Sequence, residues 1–552
     1  MANIKNAYEL WCQNAIADED LIAELLAIKN NSDKINDAFF KEMEFGTGGL
    51  RGKIGAGTNR MNVYTVARAT KGLANFILKS NTGDKRVAIG YDTRIKSKLF
   101  AETAAKVLSA NKIKVFLFNR PLPTPMLSFA VRELNCDAGI MVTASHNPAV
   151  YNGYKVYGSD GCQITTTAAD EIYSEISALD YFNSLPQDNG EMVNAVPEEI
   201  YKKFIAAVSE LSLAKGVDKN ISVVYTPLNG TGIEPVTDIL KLNGFNNVIV
   251  VKEQEEHNGN FPTCPFPNPE LPEAMELGLK LATEKNADIL LATDPDCDRV
   301  GVAVRTENEY KLLTGNEVGI LLLEYICHRK KEENSMPQNP ICVKTIVTTD
   351  LAEKIANTYG VKIVDVLTGF KFIGEVIGGL EQKGQKDDYI FGFEESCGYL
   401  SGSHVRDKDG VNAALLVCEM CAYYKNQGVS LAKKLEDLYN EYGYSLNGLL
   451  SFTFEGEVGM QKMQDFMASI RKSGVNFGEF SVVNVVDYLS GVNDLPKSDV
   501  LKFTFSDEST LIIRPSGTEP KLKFYLAVTG ETEEKAKNKL EKLKTNIENI
   551  IK

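Results

Sequence analysis

Three times along this chain a short apolar run ends in a loop crowded with polar side chains, and that rhythm limits the possible folds more than any other feature. Arg86-Val-Ala-Ile-Gly-Tyr-Asp92 and Lys114-Val-Phe-Leu-Phe118 read as strands, with a helical pattern over 98–111 between them. Ala138-Gly-Ile-Met-Val142 closes this round and runs into Thr143-Ala-Ser-His-Asn-Pro148. A second round passes through Ile221-Ser-Val-Val-Tyr225 and Asn247-Val-Ile-Val-Val251 to Asp288-Ile-Leu-Leu-Ala292 and Asp294. A third passes through 341–347 and Val361-Lys-Ile-Val-Asp-Val366 to Tyr389-Ile-Phe-Gly-Phe393 and Glu394. Strands and helices alternating at this spacing predict α/β layers. Ligands of such layers bind beyond the carboxyl ends of the strands. Three similar α/β domains around one shared cleft are therefore expected.

The ends of the chain differ. The first ~40 residues predict amphipathic helices, with the single Trp at position 11. The segments 449–456, 481–486, 500–505 and 510–513 are closely spaced and strand-like, and 531–552 is a lysine- and glutamate-rich amphipathic helix. That pattern predicts a C-terminal α+β domain with a mainly antiparallel sheet. The expected divisions are 1–208, 209–327, 328–448 and 449–552, within the three to five domains that 552 residues suggest.

A formal charge of −14 argues against nucleic acid as a partner, which would need a basic face. No run approaches the ~20 apolar residues of a membrane span, and Met1-Ala-Asn-Ile-Lys-Asn-Ala-Tyr8 lacks the apolar core of a secretion signal. Ten scattered cysteines fit reduced thiols in a cytoplasm, and the close pair Cys418 and Cys421 falls in a predicted helix rather than a redox or zinc motif.

The polar loops carry the chemistry. In Asp294-Pro-Asp-Cys-Asp-Arg299, residues two apart on extended backbone face the same side, so Asp294, Asp296 and Asp298 are expected to converge. Hard oxygen ligands in that pattern suit Mg²⁺. A calcium loop would need a glycine and a later bidentate glutamate that are missing here. An acidic surface turn is the plain alternative, but it has no reason to follow a buried strand. Asn147-Pro148 breaks regular structure, which presents Ser145 rather than packing it; the same residues also suit a turn in which Ser and Asn cap backbone groups.

Glu394 and Ser396, again two apart in Phe393-Glu-Glu-Ser-Cys-Gly398, suit a pair of sugar hydroxyls. His404-Val-Arg-Asp-Lys-Asp-Gly410 holds candidates for proton transfer and phosphate contact, and Thr368-Gly-Phe-Lys371 is a weaker case; ordinary solvated loops would look much the same. Arg514-Pro-Ser-Gly-Thr-Glu-Pro-Lys521 sets Ser516, Gly517 and Thr518 between two cations, a phosphate cradle that is not a Walker loop. Phe45-Gly-Thr-Gly-Gly-Leu-Arg-Gly52 reads most plainly as a flexible turn and more sharply as a loop that lets Arg51 reach an anion; no strand precedes it and the pattern fails afterwards, which excludes a dinucleotide fingerprint. Together these loops predict phosphoryl exchange on a sugar.

In this order, TASHNP with Lys155, DPDCDR, FEESCG, HVRDKDG and RPSGTEPK resemble the motifs of the α-D-phosphohexomutases over essentially the whole chain. FGTGGLRG is most similar to the branch of the phosphoglucomutase/phosphomannomutase type with its phosphopentomutase-like members. The resemblance implies mixed sheets in the three α/β domains and a phosphoserine at Ser145. It implies one Mg²⁺ per chain on Asp294, Asp296 and Asp298, with Ser145 supplying the fourth ligand. It assigns Arg299 to the transferring phosphoryl group and Thr368, Gly369, Glu394 and Ser396 to the sugar. Arg514, Ser516, Gly517, Thr518 and Lys521 fall to the non-reacting phosphate. Arg51, His146, Lys155, His404 and Lys408 match the family's cationic and proton-transfer groups, with no general base singled out. FEESCG departs from the many relatives that place a glycine before the first glutamate.

The implied reaction interconverts glucose 1-phosphate and glucose 6-phosphate, and also mannose phosphates, through glucose 1,6-bisphosphate, which doubles as activator. Pentose 1- to 5-phosphate exchange is the alternative within the family. A metal-dependent phosphatase and a binding protein without turnover are the alternatives outside it. The implied partners are sugar phosphates, and the implied assembly is a monomer or weak homodimer. Ser145 reads as a phosphoryl carrier rather than a hydrolase nucleophile, since no triad order accompanies it.

Overall fold

The computed structural model describes residues 2–46, 48–80, 83–186, 190–454, 456–492, 495–516 and 521–551. Strands β1 (Gly49–Lys53), β2 (Arg86–Tyr91), β3 (Lys114–Leu117), β4 (Ala138–Val142), β5 (Tyr151–Gly158) and β6 (Val193–Ala195) form a sheet in the order β1-β5-β4-β2-β3-β6. β4 is buried at every position, as a strand covered on both faces must be, which is why it reads as an unbroken apolar run. The second sheet joins β7 (Val223–Thr226), β8 (Val248–Val250), β9 (Ile289–Thr293), β10 (Val300–Arg305) and β11 (Tyr310–Leu313) in the order β11-β10-β9-β7-β8. The third joins β12 (Ile341–Thr345), β13 (Lys362–Val366), β14 (Tyr389–Glu394) and β15 (Gly398–Leu400) in the order β13-β12-β14-β15.

All three sheets are mixed, and for one reason. β4, β9 and β14 each run parallel to an inner neighbour and are then followed by an antiparallel strand, β5, β10 or β15. Each polar loop is thus the return between a parallel strand and the antiparallel partner that follows it in the chain. The sequence reading missed the return strands because segments such as Tyr151-Asn-Gly-Tyr-Lys-Val-Tyr-Gly158 mix glycine and polar residues with apolar ones. β1 corrects a second expectation: Arg51 stands on a strand paired with β5, opposite Gly153, and not on a flexible turn. Glycine permits that pairing, since a Cβ on Gly49 would sit 2.0 Å from the Tyr154 carbonyl oxygen.

β16 (Tyr444–Thr453), β17 (Val482–Asp487), β18 (Leu501–Phe505), β19 (Thr510–Pro515) and β20 (Lys521–Gly530) make a wholly antiparallel fourth sheet in the order β16-β20-β19-β18-β17. Leu501, Phe503 and Phe505 alternate with half-buried Lys502 and Thr504, and pack with Leu543 and Ile547 of the helix Glu533–Ile551. The opposite face places Tyr488, Ile512 and Tyr525 against Ile346, Val347 and Leu367, beyond β12 and β13. Lys502 also reaches Asp350 at 3.3 Å, a carboxylate that buried Lys344 holds from the other side at 3.1 Å.

The N-terminal helices Ala2–Asn14, Glu19–Ile28 and Ser32–Phe39 close the first domain. Trp11 is 1% exposed and meets Phe39, Tyr64, Tyr181 and Phe182 edge-on. Further along, the helix Gly315–Glu332 starts at a Thr314–Glu317 capping box and continues unbroken through the division expected at 327/328. A hydrogen-bonded helix is a poor place for a domain boundary; the turn at Thr314 is a better one.

Domains one and three are joined by Glu381, on the helix Phe370–Gln382. It accepts both Arg132 Nη2 at 2.8 Å and Nη1 at 3.2 Å, and Arg406 Nη2 at 2.7 Å. The Arg132 hydrogen bonds, and after them Arg406, hold the carboxyl at about 2, well under its ordinary value near 4.5. Folding therefore favours the charged form. Its contribution is complete above the unfolded-chain value near 4.5 and disappears as the pH falls toward 2. Glu381→Gln is expected to lower Tm by about 1–3 °C at neutral pH. Thermal melts of both proteins across pH 7 to 3 check it, and a deficit that grows toward acid contradicts it.

Candidate active site

Each return loop contains one non-glycine residue in the left-handed region: Ser145 at φ 51°, Cys297 at 49° and Cys397 at 59°. Such residues cost about 1–3 kcal/mol each and persist only where surrounding contacts enforce them. In the second loop the enforcement is visible. Asp294 O accepts Cys297 N at 2.9 Å, while Asp294 Oδ1 accepts Asp298 N at 3.1 Å and Arg299 N at 3.0 Å. The segment is a turn, not the extended run expected from sequence. The three carboxylates converge because the backbone curls around Asp294.

Asp294, Asp296 and Asp298 are at most 1% exposed, and one oxygen from each lies within 4.8 Å of the others. Asp296 Oδ1 and Asp298 Oδ1 are buried without a hydrogen-bond partner among the described residues. Orphaned hard oxygens facing one point are the donor set a small divalent cation needs. The triad fits a metal.

Ser145 joins it from the first domain. Its hydroxyl donates to Asp294 Oδ2 at 2.7 Å and lies 3.4 Å from His146 Nδ1. At 4% exposure Ser145 is packed, contrary to the expectation of a presented loop serine. Lys155 Nζ on β5 reaches Asp296 at 3.0 Å and Asp298 at 3.6 Å. Lys408 Nζ comes from the third domain to Asp298 at 3.2 Å, Asp407 at 3.0 Å and Glu394 at 4.0 Å. Arg299 pairs with Glu270 at 3.1 Å.

Burial pushes the Asp294 carboxyl well up, and the charges of Asp296 and Asp298 push the same way. Burial opposes ionisation of Asp296 too, but Lys155 and hydrogen bonds from its neighbours outweigh it and hold the group low. Both lysines stay cationic: burial disfavours their charge, yet Asp296 and Asp298 beside Lys155, and Asp298 and Asp407 beside Lys408, more than restore it. Burial, then Arg299 and Arg51, keep the His146 imidazole far below 6.5 and hence neutral. Burial pushes Glu394 up to about 7 against the pull of Lys408.

The remaining expected residues are placed unevenly. Ser396 Oγ donates to Glu394 Oε1 at 3.3 Å, and Gly369, at φ 121°, precedes the helix Phe370–Gln382. Thr368 Oγ1 is buried without a hydrogen-bond partner among the described residues. Burial pushes up the carboxyl of Glu395, between the two sugar-loop residues, and Arg514 is near enough to pull weakly the other way. Ser516 N donates to Lys521 O at 2.7 Å, which closes the C-terminal loop at its base; Gly517 and Thr518 lie outside the described residues. His404 goes elsewhere. Its Nε2 meets Asp409 at 2.8 Å, and the other Asp409 oxygen caps the helix Gly410–Asn426, so the imidazole braces a helix start.

Several residues escaped the sequence reading. Thr124 bonds Asp296 twice, Oγ1 to Oδ2 at 2.8 Å and N to O at 2.9 Å, which fastens the metal loop to the first domain. Glu270 orients Arg299. Asp92, at the end of β2, accepts Thr143 Oγ1 at 2.6 Å, and Thr143 Oγ1 accepts Ser145 N at 2.8 Å. The available signal was position, because Asp92 follows a strand exactly as the three polar loops do.

Residues 42–182, 200–308 and 314–442 match the alpha/beta/alpha domains I, II and III of phosphoglucomutase/phosphomannomutase, and 462–542 match its C-terminal domain. A phosphoglucomutase from Staphylococcus saprophyticus is 36% identical over 549 residues, 95% of this chain and 96% of that one. One from Staphylococcus aureus MRSA252 is 34% identical over 94% of this chain and 95% of its own. Among solved structures, a phosphoglucomutase/phosphomannomutase family protein from Burkholderia thailandensis superposes with a TM-score of 0.68 at 18% identity, over 92% of this chain and 97% of that one. The phosphoglucomutase parafusin from Paramecium, in an open form, gives 0.68 at 19% identity over 93% and 95%. The four domain matches in order, the staphylococcal relatives and the shared fold place the chain in one family: it belongs to the phosphoglucomutases/phosphomannomutases.

Proposed function

We propose that the chain interconverts α-D-glucose 1-phosphate and glucose 6-phosphate, the activity for which its staphylococcal relatives are named, by relaying a phosphoryl group through Ser145. The observation that carries this reading is Ser145 Oγ, 2.7 Å from Asp294 at the edge of a buried carboxylate triad flanked by Lys155, Arg299 and Lys408. A phosphoserine carries about −1.5 to −2 charges, so it needs these cations before an anionic sugar phosphate can approach. Mg²⁺ held by Asp294, Asp296 and Asp298, with a phosphoserine oxygen beside them, would neutralise that charge and polarise the group in transfer.

In one half-reaction a free sugar hydroxyl forms a bond to phosphorus and the bond from phosphorus to Ser145 Oγ breaks. The hydroxyl proton is passed to Ser145 Oγ, leaving a sugar bisphosphate. That intermediate turns around, and the reverse step returns its other phosphoryl group to Ser145. Atoms balance over the cycle and nothing is consumed. Arg299 steadies the transferring group. Glu394, Ser396, Thr368 and Gly369 read the sugar, and Arg514, Ser516 and Lys521, with Gly517 and Thr518, hold the phosphate that does not react. Proton transfer falls among His146, Lys155 and Lys408, since the polar contact of His404 goes to Asp409. Glucose 1,6-bisphosphate in solution would rephosphorylate an idle Ser145 and so act as activator. Positioning and charge stabilisation supply most of the rate in such transfers.

Three outcomes are expected. In a coupled assay over glucose, mannose and ribose 1-phosphates, glucose 1-phosphate turns over fastest; a clear preference for ribose 1-phosphate sinks the hexose reading. Ser145→Ala loses activity by about 10⁴-fold or more, and intact-protein mass spectrometry shows one phosphate on the native chain that the variant lacks. Chelation abolishes turnover and Mg²⁺ restores it, while Asp296→Asn, which removes one of the triad's charges, binds Mg²⁺ at least about tenfold more weakly by titration calorimetry.

A further inference from the structure

We propose that Arg94 is a positioning residue for phosphoryl transfer: its buried guanidinium is the core around which the Ser145 loop is wound, and it holds Ser145 in the backbone conformation that aims Oγ at the triad. The inference rests on the reading of Ser145 as the phosphoryl carrier. Arg94 follows β2 and is 3% exposed. Its Nη1 donates to Pro148 O at 2.9 Å and Tyr151 O at 3.1 Å, and its Nη2 donates to Ser145 O and Asn147 O. Four carbonyls within seven residues converge on one planar fork. No other side chain offers enough donors in that geometry.

Both peptide groups of Ser145 are tied into the same construction. Arg94 takes the carbonyl, while the N–H goes to Thr143 Oγ1 and through it to Asp92. Asp92 Oδ1 accepts Ser97 Oγ at 2.6 Å and Arg94 N at 3.0 Å, and its Oδ2 lies 3.3 Å from Arg94 Nε, with both side chains fully buried. Ser145 is left-handed at φ 51°, a conformation that relaxes unless both sides are held. The second domain seals the assembly. Phe261 places its ring 5.0 Å from the guanidinium, and Gly259 pairs with the Arg94 backbone so closely that a Cβ there would lie 2.4 Å from Ile95 N. Arg94 therefore acts on the chemistry through Ser145, without touching the sugar.

The test uses the full-length enzyme with Mg²⁺. In Arg94→Ala, kcat is expected to fall about 10²-fold, the loss a 1 Å misplacement of a reacting group brings, while KM stays within about threefold. Millimolar guanidinium should restore at least tenfold of that loss, and matched NaCl should not. Arg94→Lys, which keeps the charge with too few donors for four carbonyls, should lose about tenfold in kcat at unchanged KM. If Arg94→Ala does not fold by circular dichroism, the Lys variant decides alone. Folded variants with kcat within threefold of the native enzyme overturn the proposal, as does a rise in KM at constant kcat, or a loss in folded Arg94→Ala that guanidinium leaves unchanged. Ser145→Ala measured in parallel separates the two readings. Activity there removes the carrier role itself, whereas an inactive Ser145→Ala beside unaffected Arg94 variants removes only the role of Arg94.

Discussion

Three carboxylates buried within 4.8 Å of one another are the constraint on which the rest of this structure depends. At an effective dielectric near 20, two like charges 4 Å apart repel by about 4 kcal/mol, and water is not there to screen them. The structure answers from several directions. Asp294 retains its proton more readily than a free carboxyl, and Lys155 lies against Asp296 and Lys408 against Asp298. One lysine stands on a strand of the first sheet and the other on a loop of the third domain. The triad is therefore not a property of the second domain, because its electrostatic balance exists only when three domains are docked. The loop backbones make the same connection, with Thr124 N on Asp296 O and Gly410 N on Cys297 O.

Topology explains how three loops from separate domains arrive at one place. In each mixed sheet one parallel strand doubles back into an antiparallel neighbour, and side chains from the three returns or their flanks meet at the triad. One left-handed residue sits in every return, and only the first of them is Ser; Cys297 and Cys397 occupy the matching conformation in the other two. The conformation is thus a feature of the return, and the chemistry was added to it. Arg94 and Asp92 brace the first return, Asp294 braces the second with its own carboxylate, and the third needs least because only three residues separate β14 from β15.

The sequence exposed the parallel strands other than β6, and the polar loops, but not the antiparallel return strands. β4, β9 and β14 are buried on both faces, so their apolar runs stand out without any partner in view. β5 carries Tyr154, Val156 and Tyr157 into the core among glycines, an asparagine and a lysine, and its identity is set by pairing with β4 and β1 rather than by its own composition. The aspartate triplet was legible as a group that could hold a metal, although the argument from extended backbone gave the right convergence for the wrong conformation. His404 shows the opposite case. A histidine in a loop of ionisable residues looks available for proton transfer, yet the neighbouring Asp409 claims it to secure a helix start. Arg94 was invisible for a different reason, since all four of its acceptors are backbone carbonyls, which any sequence supplies.

The fourth domain is attached differently. Arg514 and Lys521 stand on β19 and β20, which pair antiparallel with each other, and not on a return from a parallel strand. The domain meets the third through Tyr488, Ile512 and Tyr525 on Ile346, Val347 and Leu367, and through the Lys502–Asp350 pair. The hydrogen bonds and ion pairs described above for the triad come from residues before 449. The triad's hydrogen bonds and ion pairs are thus complete without the fourth domain, which reaches the third through a non-directional apolar patch and through ion pairs of its own.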